Sequence, residues 1–153
     1  MSVMNTLKFS LIIVAILLCN ACGLKPIASE YTFVKTDVED VDINQLGDGH
    51  VLIYNGANML HTVDNTARLN VWIDNIPLGQ IRPSEYAILN FKPKSYQFKL
   101  LHIDFVNMKS EHTVEINNQT KVIMIKPTVT SNKLEITNEL PSKFEKFKYA
   151  EKR

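Results

Sequence analysis

The sequence predicts an all-β protein: a Greek-key β-sandwich of about seven strands that follows a cleaved signal helix and an extended tether. From residue 50 onward, short apolar runs and stretches of alternating apolar and polar residues are separated by turn residues. After residue 25, no stretch has the apolar face of a helix over three turns. We therefore expect four parts, namely a signal peptide, a tether with an acidic approach segment, the β-sandwich and a basic tail, at residues 1–21, 22–48, 49–140 and 141–153.

The first residues have the composition of a secretory signal. Lys8 and the amino terminus supply positive charge, and residues 9–18 (FSLIIVAILL) are apolar apart from Ser10. A helix that spans a membrane needs roughly 20 apolar residues, so this run is too short to remain as a span. A buried N-terminal helix is the alternative, but such a helix should show a polar face, and this run has none.

Residues 17–23 (LLCNACG) resemble the lipobox of bacterial lipoproteins, in which a small residue precedes a cysteine. The resemblance implies transfer of diacylglycerol to the Cys22 thiol, cleavage between Ala21 and Cys22, and acylation of the new amino group with a fatty acid such as palmitate. One position departs from the usual pattern, because Cys19 stands where leucine is common. Gly23 after the cysteine implies passage to the outer membrane of a Gram-negative host.

Cysteine content and charge argue against several kinds of partner. Cys19 and Cys22 are the only cysteines, and cleavage after Ala21 would remove the first. A metal site on this C-x-x-C pair is the alternative, but the chain has no second pair of that kind. With 17 basic and 16 acidic residues, the chain has no strong net field to attract nucleic acid. We expect no metal, no cofactor and no nucleic-acid partner.

The strands are predicted from local patterns. Residues 50–54 (HVLIY) form an apolar run that ends at a turn dipeptide, Asn55-Gly56. Residues 67–74 (ARLNVWID) alternate, which predicts a half-buried strand with Trp72 on its polar face. Asp74-Asn75 predicts a tight turn into a second hairpin arm. Further strands are expected at residues 76–81, 85–91, 111–116, 121–125 and 133–137.

Two segments have less regular patterns. In residues 96–105 (YQFKLLHIDF) the apolar phase shifts by one position, which predicts a β-bulge or a strand that passes from one sheet to the other. In the basic tail, Phe144 and Phe147 could line one turn of helix. We expect this tail to be a solvated end, with attraction to anionic lipid headgroups as the alternative.

Residues 71–81 (VWIDNIPLGQI) resemble the hairpin of a bacterial lipoprotein family, the domain of unknown function 2846 family, which is akin to PEGA-type modules. The likeness extends over residues 50–125, in which the predicted strands and turns follow one another in the same order as in the family. Asn75 and Lys94 stand where the family has glycines. The resemblance implies a β-sandwich and an exported location, but no established chemistry.

Few side chains are candidates for chemistry. His102 and Asp104 form an H-x-D pair on one predicted strand, and Glu111 adjoins His112. A metal pair is one interpretation, but we favour isolated, partly buried histidines. Trp72 is the best candidate for a recognition surface, where it could dock a sugar or a partner protein, unless a second layer covers it.

Acidic residues are concentrated before the first strand. Their spacing does not match an EF-hand calcium loop, so we expect a solvated spacer that carries Asp37, Glu39, Asp40, Asp42 and Asp48.

The sequence therefore predicts a lipid-anchored protein at the periplasmic face of the outer membrane, acting as a non-enzymatic binding or structural module of the cell envelope. A subunit of a larger envelope or secretion assembly is the alternative, with an envelope protein as its partner. An enzyme is the third reading and is disfavoured, because it would require convergent titratable side chains in a cleft.

Overall fold

The computed structural model describes residues 24–33, 41–57, 67–104 and 106–150. Within these ranges the regular structure is almost entirely β, with two single 3₁₀ turns and no α-helix. The strands are β1 (His50–Asn55), β2 (Leu69–Ile73), β3 (Ile76–Ile81), β4 (Glu85–Asn90), β5 (Lys94–Ile103), β6 (Asn107–Ile116), β7 (Val122–Pro127), β8 (Asn132–Ile136) and β9 (Lys148–Tyr149).

The strands form two sheets. Sheet A has five strands in the order β8-β7-β1-β4-β9, and sheet B has four in the order β3-β2-β5-β6. β1 pairs with β7, and β4 with β9, in parallel, while the other pairs are antiparallel. β2, β3 and β4 follow one another along the chain, and β5 returns to lie beside β2, which is a Greek-key connection across the two sheets. The predicted all-β sandwich is confirmed.

The main core lies between the two sheets and is built by alternating side chains. In β2, Leu69, Val71 and Ile73 are fully buried, as the alternation in the sequence predicted. They meet Val51 and Ile53 of β1 across the sandwich. Burial of a large apolar side chain stabilises the fold by about 1.5–3 kcal/mol, so this layer contributes much of the free energy of folding.

The predicted bulge or sheet change in residues 96–105 is wrong. β5 pairs with β6 without interruption from Lys94, opposite Ile116, to Ile103, opposite Asn107. The inward phase of β5 continues through His102, which is buried because Asn132 supplies it with a hydrogen bond. A register shift lies instead between Val71 and Trp72, where β2 pairs with β3.

The prediction of a solvated C-terminal end is also wrong for residues 141–150. Phe144 begins a 3₁₀ turn, and Phe147 and Tyr149 follow it onto the outer side of sheet A. The ring of Phe144 lies 5.0 Å from that of Tyr86, and the ring of Phe147 lies 5.6 Å from that of Tyr54. The reason is that β1 and β4 are apolar on both faces, so their outer face requires a cover.

The approach segment is not a free spacer where the structure describes it. Val41, Ile43 and Leu46 pack into the same outer cluster on sheet A. Asp42 caps the 3₁₀ turn of Ile43–Gln45, because its carboxylate accepts a hydrogen bond from the Asn44 amide at 2.9 Å. Residues 34–40, which contain the other acids of this run apart from Asp48, lie outside the described residues.

Candidate functional site

The outer face of sheet B carries Trp72, the residue that the sequence selected for recognition. Side chains that face each other across antiparallel strands project to the same side of a sheet. Asn70 lies opposite Leu101, and Trp72 lies opposite Lys99. We call the outward surface formed by Trp72, Lys99, Leu101, Ile103, Lys109 and Glu111 the Trp72 face.

The N-terminal segment of the described chain is bound beside this face. The Lys25 carbonyl accepts a hydrogen bond of 2.8 Å from Asn70 Nδ2, and the Leu24 carbonyl accepts one of 3.0 Å from Gln80 Nε2. Gln80 Nε2 also donates to Asn70 Oδ1 at 3.1 Å. Asn70 and Gln80 are only 2% and 3% exposed, and Leu24 is 6% exposed. Two polar side chains on an outward face thus hold the start of the segment.

The segment then follows the edge of sheet B. The Glu30 amide donates to the Pro77 carbonyl at 2.9 Å, and the Tyr31 hydroxyl donates to the Ile73 carbonyl at 3.2 Å. Gly79 has a φ of +117°, and a side chain there would meet Ser29 Cβ at 3.4 Å. Burial, with a contribution from the nearby Asp74 carboxylate, raises the pKa of Tyr31. The segment therefore covers β3, which is an edge strand of sheet B.

A shallow groove of about 530 Å³ opens on the Trp72 face. Trp72 is partly buried and shares the lining with Lys99, Leu101, Lys109 and Glu111. Lys99 Nζ lies 3.4 Å from Glu111 Oε1, which places opposite charges at one wall. The groove combines an indole, an aliphatic surface and charged groups, a mixture that suits contact with an amphipathic ligand.

The histidines singled out in the sequence lie elsewhere. His102 is buried, and its Nδ1 lies 2.7 Å from Asn132 Oδ1. His112 Nε2 lies 2.9 Å from Ser110 Oγ, and burial lowers the pKa of the His112 imidazole. Asp104 lies beyond the end of β5 and is exposed. In the described part of the chain, no group of three His, Cys, Asp or Glu side chains is placed to bind a metal ion.

Asn55 has a structural role that the sequence did not reveal. It is fully buried, and its Nδ2 donates to the Ala67 carbonyl at 2.7 Å and to the Ile81 carbonyl at 3.0 Å. Its Oδ1 accepts from the Ala57 amide at 3.0 Å. Asn55 therefore ties the end of β1 in sheet A to the chain on both sides of the β2–β3 hairpin. The dipeptide with Gly56 indicated only a turn.

The predicted lipidation residue Cys22, its neighbour Ala21 and the signal sequence lie outside the described residues. Among the residues that are described, no helix has the length and apolar character needed to cross a membrane. No protein-family model matches the chain, and neither does any curated protein or solved structure. The likeness of residues 71–81 to the domain of unknown function 2846 family stays a prediction.

Proposed function

We propose that this chain is a bacterial lipoprotein, anchored by lipid on Cys22 at the periplasmic face of the outer membrane. Its β-sandwich then acts as a non-enzymatic binding or structural module of the cell envelope. The observation that carries the proposal is the order of residues 9–23, in which a short apolar run leads to a small residue and a cysteine. Leu24, two residues after Cys22, is buried against the β domain, where its carbonyl accepts a hydrogen bond from Gln80.

The chemistry at Cys22 is that of a thiol nucleophile. Its sulfur would take the diacylglycerol group, and cleavage after Ala21 would free an amino group for a further acyl chain. Each buried methylene stabilises membrane binding by about 0.8 kcal/mol, so two or more chains hold a protein stably. Lipid chains on Cys22 can in this way retain a folded domain at a bilayer.

The fold supports a binding role through the Trp72 face. Sheet A is covered on its outer side by the chain's own aromatic residues, whereas Trp72, Leu101 and Ile103 on sheet B keep part of their surface exposed. Aromatic side chains with a polar atom are frequent where proteins meet partners or membrane interfaces. The groove beside Trp72 is therefore the surface through which we expect the module to act.

The test is the intact mass and the membrane partition of the protein expressed in a Gram-negative bacterium. The wild type should lose residues 1–21, gain the mass of diacylglycerol and an acyl chain, and sediment with membranes. Cys22→Ala should keep residues 1–21 and gain no lipid mass. Cys19→Ala is the matched control, because it changes the other cysteine and should still be lipidated. An unmodified wild-type chain would contradict the proposal.

A second candidate is a subunit of a larger envelope or secretion assembly. Among the described strands, β6 is the terminal strand of sheet B, and a terminal strand is the position at which a strand of another chain can be added. Its alternating charged side chains, including Lys109, Glu111 and Glu115, make uncontrolled pairing unfavourable and selective pairing feasible. The test is the native size of the wild-type protein after mild extraction from membranes. A size larger than that of one chain would support this candidate, and the size of one chain would indicate a free monomer.

A further inference from the structure

We propose that the Trp72 face lies against the surface of the lipid bilayer, so that the lipid on Cys22 and the outer face of sheet B together orient the domain. This inference rests on the proposed lipidation of Cys22 and adds a second, non-covalent contact with lipid. The partner is a bilayer interface, made of headgroups and the adjoining acyl carbons.

The first argument is the length of the chain between the anchor and the folded domain. Leu24 is buried and its carbonyl is bound by Gln80. Cys22 precedes Leu24 by two residues, which span at most about 7 Å when fully extended. The lipid therefore begins within this distance of the surface that carries Asn70 and Gln80. A long flexible spacer between bilayer and domain is excluded for an anchor at this position.

The second argument is the location of the bound segment. Asn70 lies opposite Leu101 in the β2–β5 pairing, so the side chain that holds Lys25 projects on the same side as Leu101. Trp72 is two residues further along β2 and projects on this side as well. A lipid on Cys22 would thus begin close to the side of sheet B that carries the Trp72 face, and this side is the one that we expect to meet the bilayer.

The third argument is the chemistry of the face. Trp72, Leu101 and Ile103 are partly buried and offer indole and aliphatic surface, while Lys25 and Lys109 are exposed. Tryptophan favours the headgroup level of a bilayer, and lysine ammonium groups are attracted to anionic phosphates. Glu111 would oppose such contact, but its carboxylate lies 3.4 Å from Lys99 Nζ. The combination matches a membrane interface better than open solvent.

The experiment uses Trp72 as its probe, because it is the single tryptophan of the chain. The purified lipidated protein is reconstituted into vesicles of phosphatidylethanolamine and phosphatidylglycerol, with or without bromine on the acyl carbons near the headgroup. Bromine quenches an indole only at short range. We expect a loss of Trp72 fluorescence in the brominated vesicles and a shift of its emission to shorter wavelength.

Matched variants connect the quenching to this face. Leu101→Glu places a charge on the Trp72 face and should reduce the quenching while the protein still sediments with vesicles. Ile136→Glu places the same charge on β8 of sheet A, where Ile136 is 38% exposed, and should leave the quenching unchanged. Insertion of a flexible Gly-Ser segment between Gly23 and Leu24 keeps the lipid and should also reduce the quenching. This insertion tests the proposal even if Leu101→Glu does not fold.

The outcomes separate the two proposals. Sedimentation of lipidated protein with vesicles, without bromine quenching of Trp72, would overturn the membrane-facing orientation and leave the lipoprotein proposal intact. A blue shift that grows with protein concentration but is insensitive to bromine would assign the face to a second copy of the chain, and would also overturn it. A chain that carries no lipid would overturn both proposals.

Discussion

The amide of Asn132 satisfies three polar groups between the two sheets. Its Nδ2 donates to the Leu100 carbonyl at 3.3 Å and to the Met108 carbonyl at 3.1 Å. With the nitrogen so placed, Oδ1 faces His102 Nδ1 at 2.7 Å and can only accept. His102 therefore carries its proton on Nδ1. An amide of β8 thus joins sheet A to the β5–β6 hairpin of sheet B.

Replacement of Asn132 by alanine should destabilise the fold. The change leaves His102 Nδ1 without its acceptor in a site that excludes water, and an unsatisfied buried polar group costs about 1–3 kcal/mol. Urea unfolding of Asn132→Ala should show this loss. Asn107→Ala is the control, because Asn107 is exposed at the start of β6 and its change should cost about 0.5 kcal/mol or less. Equal unfolding free energies for the two variants would contradict a structural role of the Asn132 amide.

Single residues were predictable from the sequence only where the pattern was local. Trp72 was placed on the outward face because its neighbours alternate, and the structure has it there. His102 was expected to be partly buried, but not to lie in the interior of the sandwich, because Leu101 and Ile103 on either side are far more apolar. Its partner Asn132 is 30 residues away along the chain, and no local pattern can reveal such a pair. The same reason explains why the role of Asn55 was missed.

Among the elements, the β2–β3 hairpin follows local turn chemistry most closely. Asp74 and Asn75 have φ values of 51° and 66°, which is the type I′ geometry that matches the twist of a hairpin. The Gln97 amide donates to Asp74 Oδ1 at 2.9 Å, and Lys94 Nζ lies 2.7 Å from Asp74 Oδ2. These two contacts lower the pKa of the Asp74 carboxyl group. Lys94 thus ties the start of β5 to the hairpin turn.

Substitutions at Asn75 should show how strongly the left-handed backbone conformation of this residue affects the stability of the fold. A side chain with a branched Cβ is disfavoured there by about 1–2 kcal/mol, so Asn75→Val should lower the melting temperature. Asn75→Gly should be neutral or slightly stabilising, because glycine adopts positive φ without strain. Asn118→Val serves as the control, since Asn118 is an exposed turn residue that is not among the residues of positive φ. A melting temperature unchanged by Asn75→Val would argue against the type I′ turn.

At the scale of the whole molecule, the segments that precede and follow the main strands along the chain cover surfaces of the two sheets. The segment at residues 24–33 covers the edge of sheet B, and the segment at residues 141–150 covers the outer side of sheet A. β9 joins β4 through bonds from the Lys148 amide to the Ser84 carbonyl and from the Ala150 amide to the Tyr86 carbonyl. The apolar runs at residues 50–54 and 85–91 predicted strands, and the structure shows that both faces of these strands are buried. The segment that covers these strands is distant from them in the sequence, so the local pattern of apolar residues could not identify it.

The aromatic residues of the tail should therefore be needed for stability, and its basic residues should not. Phe144 and Phe147 stack at 5.7 Å and pack on tyrosines of β1 and β4, so the double change to alanine should cost about 3 kcal/mol in the free energy of unfolding. The control replaces Lys143 and Lys146, both exposed, by alanine in the same turn. The alternative interpretation is that the tail binds anionic lipid through its charge. In that case the lysine variant would lose membrane affinity, and the aromatic variant would unfold at the same urea concentration as the wild type. Urea unfolding of both proteins in the absence of lipid distinguishes these outcomes, because loss of packing lowers the unfolding midpoint without any membrane present.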